Sequence, residues 1–206
     1  MRVTLSNSTF GAQRARLRAQ LRARRRAVTP AERAFAAQGV ARNIDRYLGL
    51  AAGDRVALYA SLQEELDTGP LFKLARRRGW RIYTPRIDRA RLGRKMRFVA
   101  AGGHERMNRL GISESQALHT IGARWLDVVF VPLVAFDAHG MRLGMGGGFY
   151  DRAFSFRRWR RAWRGPRLVG IGYSFQELPE ILPAAHDVRL DFIVTEKGLI
   201  KCATGS

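Results

Sequence analysis

The chain has a single cysteine, Cys202, among its 206 residues. One thiol cannot close an internal disulfide, and it leaves no cysteine-based metal cluster to build. Long apolar runs are missing as well. The longest, residues 128–136 (VVFVPLVAF), is far short of the roughly 20 residues a helix needs to cross a bilayer. No apolar core of a secretory leader occurs near the N-terminus, so a cytoplasmic location without a membrane partner is expected. Acids are scarce, at 17 Asp and Glu against 37 Lys and Arg, which sets the formal charge at +20 and the pI near 11.6. Lysine is nearly absent too, supplying only four of those 37 positions (Lys73, Lys95, Lys197 and Lys201).

Such a charge invites a nucleic-acid reading. The basic residues fall mainly in three runs, 14–26, 76–97 and 157–167, and Trp80, Tyr83, Trp159 and Trp163 lie among the second and third. Runs of this kind can track phosphates while aromatic rings stack on bases. Two other readings compete with it. The skew towards arginine fits a compositional bias in which arginine occupies ordinary surface positions, and the same charge attracts small polyanionic substrates. A nucleic-acid-binding module is therefore kept only as the alternative. The arginine-rich start, free of acids before Glu32, also superficially resembles an organelle transit peptide. Against this, Leu17, Leu21 and Val28 fall on one helical face and predict a packed amphipathic helix within the N-terminal basic region 1–28, part of a single domain spanning 1–206.

Apolar residues make up 46% of the chain, enough for a proper core. Helices are expected over about 14–27, from Pro30 to about Leu48, over 69–78 and over 150–163. Thr29-Pro30-Ala31-Glu32 reads as a capping box with proline at the first helical position, and Asp67-Thr68 as a further cap. Strands are expected at 54–60, 80–85, 126–134, 168–173 and 191–195, with a tail strand near Leu199. After a polar stretch at 108–116, the most hydrophobic strand leads into a run of glycines. Strands alternating with helices predict a three-layer α/β/α fold with a largely parallel sheet. In such folds ligands collect where strands end and loops begin.

Gly144, Gly146, Gly147 and Gly148 crowd into five positions, with Met145 between them. Glycine there lets the backbone approach a bulky ligand, and successive N–H groups form an anion nest continued by the next helix. No Gly-Lys-Ser/Thr follows, so this is not a Walker A loop. Phe149 occupies the last glycine position of GxGxxG, so it is not a dinucleotide fingerprint. A plain glycine-rich turn remains open. Asp151, at the helix start, suits magnesium beside phosphates, and equally suits the helix dipole. Arg14 and Arg18 read alone as a solvated helix face, Glu65 as a surface residue before the cap, and Asp187 as a turn residue. His186 beside Asp187 suggests a dyad, although an exposed or structural histidine explains it better. Tyr173 and Gln176, following a strand end, suit either a pocket or packing.

The longer string PLVAFDAHGMRLGMGGGFYDR, residues 132–152, resembles the signature of the 5-formyltetrahydrofolate cyclo-ligase (methenyltetrahydrofolate synthetase) family. RARLR (14–18), YASLQEELDT (59–68), MNRLGISE (107–114) and HDVRLDFIVTEKG (186–198) resemble further motifs of that family, in the same order. The resemblance implies ATP-dependent cyclisation of 5-formyltetrahydrofolate to 5,10-methenyltetrahydrofolate, with magnesium and release of ADP and phosphate. It implies small molecules as the partners, and a monomer is expected.

By that resemblance Arg142 and Asp151 would be catalytic. Arg14, Arg18, Arg142, Leu143, Gly144, Met145, Gly146, Gly147, Gly148, Phe149 and Tyr150 would bind ATP. Ala60, Glu65, Met145 and Phe149 would bind the folate, and Asp151 and Asp187 the magnesium. The chain departs from the family in having Arg14 for its usual lysine. Met145 and Gly147 stand where some relatives carry lysine or arginine, and Phe149 where some carry tyrosine. Phosphate neutralisation would then rest more on backbone amides, magnesium, Arg142 and Arg152.

Overall fold

Two helices come first in the computed structural model, which describes residues 7–87, 96–101, 105–107, 113–115, 120–158 and 165–202. α1 (Asn7–Arg26) starts well before the expected residue 14, because the polar stretch ahead of the arginines has little apolar period to read. α2 (Pro30–Tyr47) begins at the capping box: Thr29 accepts the Glu32 N–H, and the Glu32 carboxylate accepts the Thr29 N–H at 2.9 Å. β1 (Arg55–Ala57) and α3 (Gly69–Arg77) follow. The cap of α3 differs from expectation. Asp67 accepts the Gly69 N–H at 2.8 Å, while the Thr68 hydroxyl donates to the Tyr59 carbonyl at 2.9 Å.

Next come β2 (Arg81–Ile87), β3 (Met96–Ala100), β4 (Glu105–Met107), β5 (Ser113–Ser115) and β6 (Thr120–Ile121). Then follow β7 (Val128–Pro132), β8 (Ala135–Phe136), β9 (Arg142–Leu143), α4 (Phe149–Ala153), β10 (Arg167–Ile171), β11 (Phe192–Thr195) and β12 (Gly198–Lys201). The helix expected over 150–163 is shorter: α4 ends at Ala153 and Ser155–Arg158 form a 3-10 turn. Residues 159–163, with Trp159 and Trp163, lie outside the described residues, as does most of the 108–116 stretch.

Eight strands form one sheet in the order β12-β11-β10-β7-β1-β2-β3-β6. The five from β11 to β2 run parallel, and β12, β3 and β6 add antiparallel edges. β7 is central and buried on both faces, which is why it reads as an unbroken apolar run. Val128 and Phe130 enter a core with α2 and α3, whereas Val129 and Val131 enter a second core with Phe154 on the opposite face. The α/β architecture with helices on both faces is thus as expected. Leu17 and Leu21 of α1 pack against Val134, Met141 and Leu143, beside the carboxyl end of β7.

Candidate active site

The site is built on the exit of β7. Asp137, 1% exposed, accepts the N–H groups of His139 at 3.0 Å and Met141 at 2.9 Å through Oδ1. Its Oδ2 accepts the Ile181 N–H at 2.8 Å. Gly140 turns the chain at φ +81, where a Cβ would stand 2.5 Å from the Leu190 carbonyl. This half of the signature string is scaffold. It folds the β8–β9 hairpin and delivers Arg142 and Gly144 to a cleft. Leu143, expected at the nucleotide, instead buries its side chain in the α1 core.

The cleft has a volume of about 340 Å³ and gathers residues far apart in the chain. Arg14 and Arg18 come from α1, Arg142 and residues 144–151 from the hairpin exit and α4, and His186 and Asp187 from the loop before β11. Arg142 Nη2 donates to Asp151 Oδ1 at 2.7 Å, and its Nη1 donates to the Val188 carbonyl. The Val188 N–H returns to Asp151 Oδ1 at 3.0 Å. Arg14 Nη1 stands 3.0 Å from Asp187 Oδ2, which also accepts the Ala184 N–H at 2.9 Å. Arg18 Nε donates to the Gly144 carbonyl at 2.8 Å. Burial, then the like charge of Arg14, lowers the Arg18 pKa, with Asp187 opposing.

Within the glycine loop, Gly146 (φ +97) and Gly148 (φ +61) adopt backbone that favours glycine. Gly147 has no positive φ, but a Cβ there would meet the Phe149 ring at 2.6 Å. Arg152 closes the loop: it donates to the Gly147 carbonyl at 2.8 Å and lies 5.1 Å from the centre of the Phe149 ring. Asp151 Oδ2 and Asp187 Oδ1 accept no hydrogen bond among the described residues. His186 Nε2 stands 3.8 Å from Asp187 Oδ1, beyond hydrogen-bonding distance, and its side chain is 72% exposed. No group of three His, Cys, Asp or Glu that could hold a metal occurs among the described residues.

Glu65 lies outside that cleft. It is buried and accepts the Leu62 N–H at 3.0 Å. Burial raises its pKa, against the pull of that N–H and of Arg25. Burial, followed by the charge of Glu65, raises the pKa of both Tyr59 and Tyr150. Tyr150 lines the cleft as well, so it joins the two sides. Gln176 proves to be packing: its Oε1 accepts the Tyr173 N–H at 2.7 Å and its Nε2 donates to the Val134 carbonyl at 2.8 Å. Tyr173 stacks on Phe175 in a separate groove of about 610 Å³.

Sequence reasoning missed Arg25, Glu64 and Asp137. Arg25 is hidden in a run where every neighbour is also arginine. Its spacing of seven from Arg18, which returns it to the same helical face, was the available signal.

Comparison with known proteins fits this geometry. The model of the 5-formyltetrahydrofolate cyclo-ligase family matches residues 11–196. A 5-formyltetrahydrofolate cyclo-ligase of Escherichia coli strain K12 is 36% identical over 180 residues, covering 85% of this chain and 96% of that protein. One of Haemophilus influenzae is 30% identical over 178 residues, covering 84% and 92%. The solved structure of Aquifex aeolicus 5,10-methenyltetrahydrofolate synthetase superposes with a TM-score of 0.77 at 26% identity, covering 94% of each chain.

Proposed function

The chain belongs to the 5-formyltetrahydrofolate cyclo-ligase family, and we propose that this ligase drives ring closure of 5-formyltetrahydrofolate by phosphorylating its formyl oxygen with ATP. A formamide oxygen is a very poor leaving group, so N10 of the folate cannot displace it directly. In the proposed path the formyl oxygen attacks the γ-phosphorus and ADP departs. The lone pair of N10 then attacks the activated carbon and the carbon–oxygen bond breaks. Phosphate leaves, the N10 proton is lost, and the 5,10-methenyl cation remains. No side-chain nucleophile takes part, so the protein's work is alignment and charge neutralisation.

The observation that carries this reading is the convergence of Arg14, Arg18 and Arg142 with two aspartates on one glycine loop. Arginine forks suit phosphate oxygens, and the loop's backbone lets them approach closely. Magnesium fits the donor chemistry. Asp151 Oδ2 and Asp187 Oδ1 accept no hydrogen bond among the described residues, with only the exposed His186 Nε2 at 3.8 Å from the latter, and magnesium takes one or two carboxylates plus phosphate oxygens and water. These two residues would hold the ion, which when bound would neutralise charge on the phosphates. Glu65, with Ala60, would accept N–H groups of the pterin. Met145 and Phe149 would line the junction between the substrates, and Leu143 would act from the scaffold. We read residues 1–206 as one unit that acts on small molecules as a monomer.

The test is absorbance at the methenyltetrahydrofolate band, with each of ATP, magnesium and 5-formyltetrahydrofolate omitted in turn. A signal that requires all three is expected. Folded protein that binds ATP but gives no signal would refute the folate assignment.

A further inference from the structure

α1 carries arginines at 14, 18, 22 and 25, spaced so that they share one face of the helix. They divide into two pairs with different destinations. Arg14 reaches Asp187 at 3.0 Å and Arg18 the Gly144 carbonyl at 2.8 Å, both in the phosphate cleft. Arg22 and Arg25 instead converge on Glu64 Oε1, at 2.6 and 2.9 Å, and Arg26 adds a bond to Oε2 at 3.1 Å. The Glu64 side chain is only 13% exposed. Burial opposes its charge, but the Arg22 hydrogen bond and the Arg25 and Arg22 charges outweigh it, so its pKa lies below the usual carboxylate value.

Arg25 is the member that cannot move alone. It is 1% exposed, donates to the Leu133 carbonyl at 3.3 Å, and stands 3.9 Å from Met145 Sδ in the glycine loop. One guanidinium therefore touches the 61–65 loop, the exit of β7 and the glycine loop. Glu64 adjoins Glu65 in a tight turn closed by Glu65 N–H to the Leu62 carbonyl at 2.9 Å. A displacement of that turn moves Glu64 and so pulls on Arg22 and Arg25, in a helix that spans roughly 16 Å from Arg25 to Arg14 at 1.5 Å per residue.

We propose that Glu64 is a positioning residue that seats α1 through Arg22 and Arg25, places Arg14 and Arg18 in the phosphate cleft, and so couples folate binding to nucleotide binding. The inference rests on the function proposed above. Glu64 is not among the residues lining the cleft, so an effect of its substitution on nucleotide affinity cannot arise from a lost contact.

The experiment is calorimetric titration of a non-hydrolysable ATP analogue with magnesium into wild type, Glu64→Gln and Glu64→Asp, with and without 5-formyltetrahydrofolate. In wild type the folate tightens nucleotide binding. Glu64→Gln weakens the analogue by about fivefold or more, on the scale of ordinary coupling free energies, and abolishes the folate effect. Glu64→Asp restores part of both. In turnover, the Glu64→Gln KM for ATP rises by more than kcat falls. A purely structural residue would lower the melting temperature and leave the affinity of the folded protein unchanged.

Wild-type affinity in Glu64→Gln, or no folate dependence in wild type, overturns the inference and leaves the proposed reaction standing. Wild type that binds no nucleotide overturns both. Should Glu64→Gln fail to fold, Arg22→Ala serves instead, since that side chain is 42% exposed and the buried Arg25 pair stays. It must weaken the analogue in the same direction by a smaller factor, and an unchanged affinity overturns the inference.

Discussion

Arg142 and Asp151 are nine residues apart in sequence and joined by a 2.7 Å ion pair in which the arginine side chain is 5% exposed and the aspartate 17%. The pair spans the glycine loop, and the Val188 N–H donates to the same carboxylate oxygen at 3.0 Å. The loop's two ends are thus tied to each other and to the segment that carries Asp187.

Asp151→Ala removes a carboxylate from the cleft and leaves Arg142 without its carboxylate partner. Turnover falls by at least about a hundredfold, the scale expected when a positioned charge is lost from a transfer site. Folate binding survives at least in part, because Glu65 and Ala60, the proposed folate contacts, are not among the residues lining this cleft. Absorbance of the methenyl product and a separate folate titration check the two halves. Near-normal turnover would remove Asp151 from the metal site.

The glycines separate ligand approach from backbone strain. A Cβ at Gly144 meets nothing within 4 Å and the backbone there has no positive φ, so Gly144→Ala melts like wild type. It nevertheless raises the KM for ATP, since the methyl group occupies the space a phosphate would enter. Gly146→Ala, at φ +97, costs about 1 kcal/mol or more of stability as well. Thermal melts paired with ATP kinetics distinguish the two. Equal ATP kinetics in Gly144→Ala and wild type would argue against close phosphate contact there.

Glu65 makes a pH prediction. Its pKa is raised by burial, so between the unfolded value near 4.3 and the higher folded value the native state binds more protons than the unfolded. Its contribution to stability is therefore greatest below that window and declines as pH rises through it. Glu65→Gln abolishes this decline and raises the folate KM more than the ATP KM. Denaturation of both proteins across that window checks the sign. A wild-type contribution that grew with rising pH would contradict it.

Nucleic-acid binding is expected to be absent at about physiological ionic strength. In the first basic run Arg14, Arg18, Arg22, Arg25 and Arg26 all hold acceptors within the protein. Arg24 lies over Phe175 at 4.4 Å. A titration with labelled RNA and DNA at several salt concentrations measures this. Tight binding with a steep salt slope would revive the charge-driven reading.

Much of this protein was legible in the sequence because the signals were local. The double burial of β7 appears as VVFV, the start of α2 as Thr29 to Glu32, and the glycine loop as four glycines in five positions. Each depends on residues within one or two turns of one another, where backbone geometry and hydrogen bonding act directly. The signature string marked the site, but its residues do unlike work: Asp137 and Gly140 hold the hairpin, Leu143 fills the α1 core, and Arg142 and Asp151 face the cleft.

Only the tertiary structure decided which of so many arginines matter. Arg14 meets Asp187 across 173 positions, and Arg18 meets Gly144 across 126. Periodicity within α1 puts Arg14, Arg18, Arg22 and Arg25 on one face, but it does not say how deeply each guanidinium is buried or which partner it meets. That choice is made when α1 docks on the β8–β9 hairpin: the groups turned inward must then find a carboxylate or a carbonyl, because an unpaired buried charge is costly. Arg25 finds Glu64 and Leu133, while Arg16 stays exposed.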